Sequence, residues 1–514
     1  MLAKRKSRLM LAGASVLAMQ LWLPVVAHAD DYSDLLDLLR AKGTISQSDY
    51  SSLMAKHRRS HRHMGRQSES ATEETSSDEA AQQAQQAAAQ AAASANEAQR
   101  AAESTQVALK DPAIVRTDTY VPGKGVTLHA GSVDLNFSGF VNGFYTYNSP
   151  GSGTPVAGGL SSGGSGFDSS SVRNGLLPGA LIIKASTVED GIDLAAVFGM
   201  YPGLNNTGVG TLNANNGGAP IALGSPGIDF RQLYVTAGTK AFGTVKIGRD
   251  IGLFGSDAIL NDATLLSVGS PGSNSAPGNT SLGRIGIGYV YTDWLPQITY
   301  TSPVIGGFTA AVGLMTPLDE FNFAGGGVSA TSTQHSVPMF QGKLTYDMGT
   351  QVHLWGDFLV QPQQDLTVDG LPIDNNKSVT VVAGDAGAKL AFGPFGAVAY
   401  YYRGSGLGTT ALFFDGVAAN GNKRDSDGYY VQGSFKLTPK FKLVGSYGVS
   451  NLYLADGEVD PTLVRRNESE IGAAYYSLTD WMTLVGEFAH TTSHAHGPDT
   501  SDDNTISLGT IVFF

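Results

Sequence analysis

The sequence predicts an all-β fold: a sixteen-stranded antiparallel transmembrane β-barrel, preceded by an N-terminal α-helical, coiled-coil segment. Three observations predict it. From Val133 to the last residue, apolar and polar side chains alternate with a period of two, the period of a strand with two unlike faces. Connections alternate between tight turns and long Gly/Ser/Asp-rich loops, as in barrels that cross an outer membrane. The composition is rich in glycine (65), phenylalanine (22) and tyrosine (20), with only 15% charged residues. After Val26 no run of 18 apolar residues occurs, so a mature chain that spans a membrane must do so as a closed barrel, which satisfies its backbone groups in lipid.

The first element is a secretory signal over 1–29. Lys4, Arg5, Lys6 and Arg8 precede an apolar run from Leu9 to Val26, and Ala27-His28-Ala29 is a small-residue cleavage site before Asp30. Its removal takes four positive charges and no acid, so the formal charge moves from −12 to −16. An acidic chain of this kind is a poor wrapper of nucleic acid. Without cysteine it has neither disulfides nor thiolate ligands.

Residues 30–66 read as a short helix–turn–helix followed by a basic stretch. Leu35, Leu36, Leu38 and Leu39 form one apolar face, Gly43 and Thr44 break it, and Ser46 caps a second helix with Tyr50, Leu53 and Met54. The stretch 56–66 is Lys/Arg/His-rich and reads as a solvated periplasmic linker or a contact for the anionic cell wall. Residues 67–110 are Ala/Gln-rich. Ala80, Ala84, Ala87, Ala91, Ser94, Ala98, Ala101, Thr105 and Ala108 trace a heptad seam, although a flexible Ala/Gln linker fits the same composition. Pro112 ends this element, and 111–132 is the linker to a barrel over 133–514.

Within the barrel, Val133, Leu135, Phe137, Val141, Tyr145 and Tyr147 share one parity, opposed by Asp134, Asn136, Ser138, Asn142 and Thr146. Phe340, Leu344 and Tyr346 likewise oppose Gln341, Lys343 and Asp347, while Leu354 and Phe358 oppose His353 and Asp357. The inward set is Asp, Lys, Thr, Ser, Gln and Gly. Seven tight turns, from Glu189-Asp190-Gly191 to Ser477–Asp480, alternate with eight long loops near 149–172, 202–227, 250–283, 316–337, 361–377, 404–427, 452–466 and 492–503. That alternation requires sixteen strands, a size that leaves an aqueous channel. Aromatics at strand ends, among them Tyr201, Trp294, Tyr400 to Tyr402, Tyr475 and Trp481, would form interface girdles.

Three segments give the barrel region a family likeness. Phe230-Arg231-Gln232-Leu233-Tyr234-Val235 is followed by Phe242-Gly243-Thr244-Val245-Lys246-Ile247-Gly248-Arg249; Tyr300-Thr301-Ser302-Pro303 precedes Gly306-Gly307-Phe308; and the chain ends Ile511-Val512-Phe513-Phe514. In this order they resemble the Gram-negative porins over roughly 131–514. The resemblance implies a homotrimeric channel in the outer membrane, surrounded by lipid, whose third long loop (about 250–283) folds inside and narrows the pore. It places Arg249, Arg284, Lys184 and Arg173 in a basic wall cluster and Asp257 and Asp262 on the acidic loop. It makes Phe514 the aromatic signal read by the barrel-assembly machinery. Arg249, however, shares parity with Val245 and Ile247, and reaches the lumen only through a bulge near Gly248. The N-terminal coil is similar to that of DcaP-like porins, and would extend into the periplasm toward the cell wall.

The function these readings imply is passive diffusion of small hydrophilic solutes and ions, with opposed carboxylates and guanidinium groups setting a transverse field. A substrate-selective channel for phosphate or organic anions, or an anchor joining outer membrane to cell wall, would use the same barrel. No G-x-S-x-G or H-E-x-x-H motif occurs, and no enzyme activity or cofactor is expected. His490, His494 and His496 read as solvated loop histidines rather than metal ligands, and Asp319-Glu320 as a loop pair that caps a turn or binds Ca²⁺ weakly.

Overall fold

A computed structural model describes residues 50–51, 90, 93–101, 103, 115–164, 167–204, 228–272, 280–374 and 377–514. The expected signal peptide, the basic stretch 56–66 and most of 67–110 lie outside the described residues. Within 67–110, residues 93–101 are helical and exposed, and Gln99 donates to Glu103 one turn on, at 3.1 Å. The chain divides into two compact units, Met1–Thr105 and Gln106–Phe514.

The second unit is a closed barrel. Its strands are β1 (Val133–Gly153), β2 in two pieces (Ser169–Arg173 and Ala180–Glu189), β3 (Ile192–Pro202), β4 (Ile228–Thr239), β5 (Gly243–Ile251), β6 (Trp294–Thr301), β7 (Phe308–Met315) and β8 (Met339–Met348). The second half comprises β9 (Val352–Gln363), β10 (Val379–Phe392), β11 (Phe395–Ser405), β12 (Asp425–Lys436), β13 (Phe441–Leu452), β14 (Val464–Ser477), β15 (Met482–Ala495) and β16 (Thr500–Phe513). Each strand pairs antiparallel with the next, and β16 returns to β1 from Phe513↔Phe140 up to Ser501↔Gly153. Closure leaves no sheet edge, which is the condition for strands in hydrocarbon.

The two faces are inverted relative to a soluble protein. Outward side chains are apolar and exposed: Val141 (61%), Ile247 (51%), Ile298 (54%), Leu344 (50%) and Leu508 (58%). Inward ones such as Asn142, Thr146, Gln297, Gln341, Gln361, Ser450 and Ser507 are polar and buried. Only lipid makes an apolar exterior of this extent favourable. Aromatic pairs ring the short-turn end: Phe242–Tyr300 at 5.3 Å, Phe308–Tyr346 at 4.6 Å and Phe395–Phe435 at 4.9 Å between centroids. Tyr300 and Tyr346 carry a hydroxyl on an apolar ring, a combination that suits the membrane–water interface.

Four features differ from the sequence reading. The eighth long loop, expected over 492–503, is a short turn, because β15 and β16 pair out to His494↔Thr500. His490 and His494 are therefore strand residues, hydrogen-bonded to Asn504 (3.0 Å) and Glu468 (3.1 Å), while His496 bonds the Leu452 carbonyl at 3.0 Å. The third loop runs on to Asp293, since β6 starts only at Trp294. The stretch 111–132 is more than a linker: Arg116–Thr117 and Val126–Ala130 form a hairpin, and the latter strand pairs with β1 from Val126↔Phe137 to Ala130↔Val133. That hairpin covers the part of β1 that β16 leaves unpaired, and Tyr120 meets Trp481 at 5.6 Å. Finally, β2 is interrupted over Asn174-Gly175-Leu176-Leu177-Pro178-Gly179, a sequence whose proline cannot donate to a sheet ladder. Asn142 fills the gap by donating to the Leu177 and Pro178 carbonyls at 2.9 and 3.0 Å.

Candidate pore constriction

The third long loop folds into the lumen and lies against the inner wall. It carries a short helix, α1 (Ser256–Asn261), and a 3-10 turn (Ala263–Leu266). Gly255 precedes α1 with φ of 73°, a left-handed conformation that favours glycine. Its N–H donates to Asp357 (3.3 Å) and Asp385 (3.1 Å) on neighbouring strands. Gln341 accepts from the Leu253 and Phe254 N–H groups at 2.7 and 3.1 Å. Tyr430 donates to the Ala258 carbonyl at 2.8 Å and Tyr475 to that of Ala263 at 2.9 Å. Gln432 accepts from the Ala263 N–H at 2.8 Å. Glu487 accepts from the Val268 and Gly269 N–H groups at 3.2 and 2.6 Å, and from the Ser267 hydroxyl. The broken part of β2 grips the far side: the Leu176 N–H donates to the Ser267 carbonyl at 2.8 Å. A Cβ on Gly175 would stand 2.2 Å from that carbonyl oxygen, so only glycine permits the approach. Gly175→Val is accordingly expected to prevent docking of the loop, and limited proteolysis of the folded barrel should then cut between 256 and 272.

Apolar burial reinforces these bonds. Phe254, Ala258, Ile259, Ile285, Tyr289 and Val290 of the loop join Leu295, Met315, Met339, Trp355, Leu359, Tyr400 and Tyr430 of the wall in one cluster. Val268 packs with Phe144, Val444, Tyr475 and Val485 in a second. Each large side chain so buried stabilises by about 1.5–3 kcal/mol. The inward parity is therefore not uniformly polar as the alternation suggested. Leu295, Leu359, Val444 and Val485 are inward and apolar because the loop covers them.

The residues implied by the family resemblance fall in five different settings. Asp262 and Arg284 come together, with Oδ1–Nε 3.9 Å and both side chains fully buried. Asp262 also accepts from the Thr264 N–H at 3.1 Å and the Tyr289 hydroxyl at 3.0 Å. Burial pushes the Asp262 carboxyl above the usual carboxylate range, against the pull of Arg284, Thr264 and Tyr289. This pair belongs to the loop's interior. Asp257 faces Lys343 (2.6 Å) and His353 (3.1 Å) on β8 and β9, and Lys343 also donates to Ser256. Arg173 is buried and clasps the loop, donating to the Pro271 and Thr280 carbonyls at 2.9 and 2.8 Å. Among the described residues Arg249 makes no ion pair with Asp257 or Asp262. Register is unbroken through Leu233↔Arg249 and Arg249↔Pro296, so Arg249 shares the outward parity of Ile247 and donates to the Trp294 carbonyl at 2.6 Å. Lys184 lies between Asn136 and Val197 in register, on the inward parity, and is exposed. The terminal Phe514 exchanges backbone hydrogen bonds with Gly139 at 3.0 and 3.1 Å.

Lys343, His353 and Asp357 were visible in the sequence as inward residues, but nothing local joined them to a loop some ninety residues earlier. Glu487, a lone acid in an apolar strand, was the signal for the other anchor.

Beyond Arg173 and the break in β2 that hold it, the loop leaves the wall from Ala180–Glu189 of β2 to β5 open. Between Leu260 and Leu265 of the loop and Phe140, Tyr201, Arg231 and Trp294 of the wall remains a cavity of about 260 Å³. Leu260 is 53% exposed, which marks it as facing the open lumen. Cations along this wall are spent locally: Arg231 binds Asp229 at 2.9 Å and lies over the Tyr201 ring, while Lys246 binds Asp250.

A closed barrel with an apolar exterior, a polar-lined interior and an internal loop defines a channel of the outer membrane. A sequence model of the family described as Gram-negative porin matches residues 84–496, and the chain belongs to that family. It is an outer-membrane porin, a water-filled channel for passive diffusion of small hydrophilic solutes and ions. No curated protein matches it in sequence. Its fold is similar to the outer membrane channel DcaP of Acinetobacter baumannii, with a TM-score of 0.54 at 16% identity, covering 74% of this chain and 98% of that one. OmpT of Vibrio cholerae matches at 0.45 and 14% identity, over 74% and 98% of the two chains.

Proposed function

We propose that solutes pass between the docked loop and the β2–β5 wall, with Leu260 at the aperture and, below it, Lys184, which has no ion-pair partner among the described residues. The observation that carries this is the asymmetry of docking: hydrogen bonds and apolar contacts tie the loop to β6–β15, β1 and the first piece of β2 with the gap that follows it, while Leu260 stays exposed. In place of a field between separated rows, the charges of Asp257 and Lys343 meet in contact and largely cancel, with the His353 ring hydrogen-bonded beside them. Leu260→Trp is expected to lower single-channel conductance in a planar bilayer, since a larger side chain fills the slot. Lys184→Glu is expected to move the reversal potential in a salt gradient toward the value for cations, because a ring of charge at a pore sets its ion preference. An unchanged conductance in the first variant and an unchanged reversal potential in the second would place the path elsewhere.

The working unit in this reading is a homotrimer. The outward side of β2–β5 carries Ala185, Ala196 and Ala237 in a shallow apolar hollow of about 480 Å³ with Leu194, Val235 and Ile247, a surface that lets a second barrel approach closely. Chemical cross-linking in mild detergent should give a three-chain species. The coil near 67–110 and the basic stretch 56–66 would extend from the periplasmic side toward the cell wall, and Phe514 would be the residue the assembly machinery reads.

A further inference from the structure

Lys436 and Lys442 occupy directly opposed positions on β12 and β13. Both share the inward parity of their strands, Lys436 with Tyr430 and Gln432, Lys442 with Val444. Lys389 of β10 is on the same inward face, since it follows Asp385, which holds the loop, by four residues. Lys389 pairs in register with Val398, and Val398 with Gln432, so it stands on the inner face two strands from Lys436. Like charges directly opposite across a strand pair are destabilising, and among the described residues none of the three has an ion-pair partner. Lys389 stands opposite His353 in register, and His353 is itself bound to Asp347 at 2.8 Å. The ammonium of Lys442 lies 4.5 Å from the centroid of Tyr475, the ring whose hydroxyl holds the Ala263 carbonyl of the constriction loop. The lysines thus form an arc inside the barrel at its short-turn mouth, below the docked loop, with lipid excluded by their inward direction.

We propose that Lys389, Lys436 and Lys442 form a binding site for oxoanions carrying two or more negative charges, entered from the periplasmic mouth. A multivalent anion bridges ammonium groups that otherwise repel, and lysine is a point-charge binder of phosphate oxygens. Seated there, the anion stands in the short-turn vestibule that leads to the slot between the loop and the β2–β5 wall, and narrows the approach to it. Chloride, with a single charge, cannot bridge the arc in this way.

The test uses the full-length protein in a planar bilayer in potassium chloride, with inorganic triphosphate as the probe. Triphosphate added on the side of the short-turn mouth should reduce the open-channel current in a voltage-dependent manner, and the same concentration on the other side should have less effect. Lys436→Gln combined with Lys442→Gln should weaken this block roughly tenfold or more, as expected when two hydrogen bonds to charged groups are lost. Arginine at both positions should retain it. Lys240→Gln, which removes a turn lysine outside the arc, should leave it unchanged. Equal block from both sides, no block at all, or block that survives Lys436→Gln/Lys442→Gln in a channel that still opens would overturn the proposal.

Discussion

Arg284→Ala is expected to destabilise the barrel by about 3–5 kcal/mol, the usual loss when one member of a buried ion pair is removed. Asp262 would be left fully buried facing its own Thr264 and Tyr289 donors, with no cation to compensate it. The pair itself need not be a large net stabiliser. Two of the Arg284 nitrogens, Nε and Nη2, make no hydrogen bond, and desolvating both ions offsets much of their attraction. The double variant Arg284→Met/Asp262→Leu should therefore recover most of the loss, whereas Arg284→Ala alone should not. Unfolding followed by heat in detergent, with the band shift of the folded barrel as readout, separates the two. Equal losses in the single and double variants would show that volume, not charge, governs the site.

Glu487→Ala is expected to undock the constriction loop. The carboxylate accepts from Ser267, Val268 and Gly269, and bonds to a charged acceptor contribute about 1.5–3 kcal/mol each before non-additivity. Even a net loss near 3 kcal/mol shifts the docked-to-undocked ratio by roughly 100-fold. Single channels should show a higher and noisier conductance. Glu487→Gln keeps an acceptor oxygen and should fall between the two. A quiet, unaltered conductance in Glu487→Ala would mean that the apolar clusters hold the loop without this anchor.

Much of the fold was legible because period-two alternation reports each strand's faces locally. All seven tight turns and the closing role of the last strand follow from it. What was not legible is non-local. The gap in β2 depends on Gly175 meeting a carbonyl of a loop about ninety residues later. The continuation of β15 and β16 through Ser493 and His494 is set by their pairing with each other, which overrides the loop-like His/Ser/Asp composition. The constriction was legible in outline only. The family likeness pointed to the loop that lies inside the barrel and to two acids on it, yet Arg173 and Arg284 bind the loop's own backbone and interior, and Arg249 obeys its parity and stays on the outer face. The loop's wall partners, Lys343, His353 and Glu487, could be read as inward residues but not as contacts.

Single-channel recording from the purified protein, beside Glu487→Ala under identical salt, tests whether this barrel is an open channel narrowed by its third loop. Stepwise ohmic openings that enlarge in the variant are the predicted result. A folded barrel that stays silent, or one whose conductance is the same with the loop released, would contradict it.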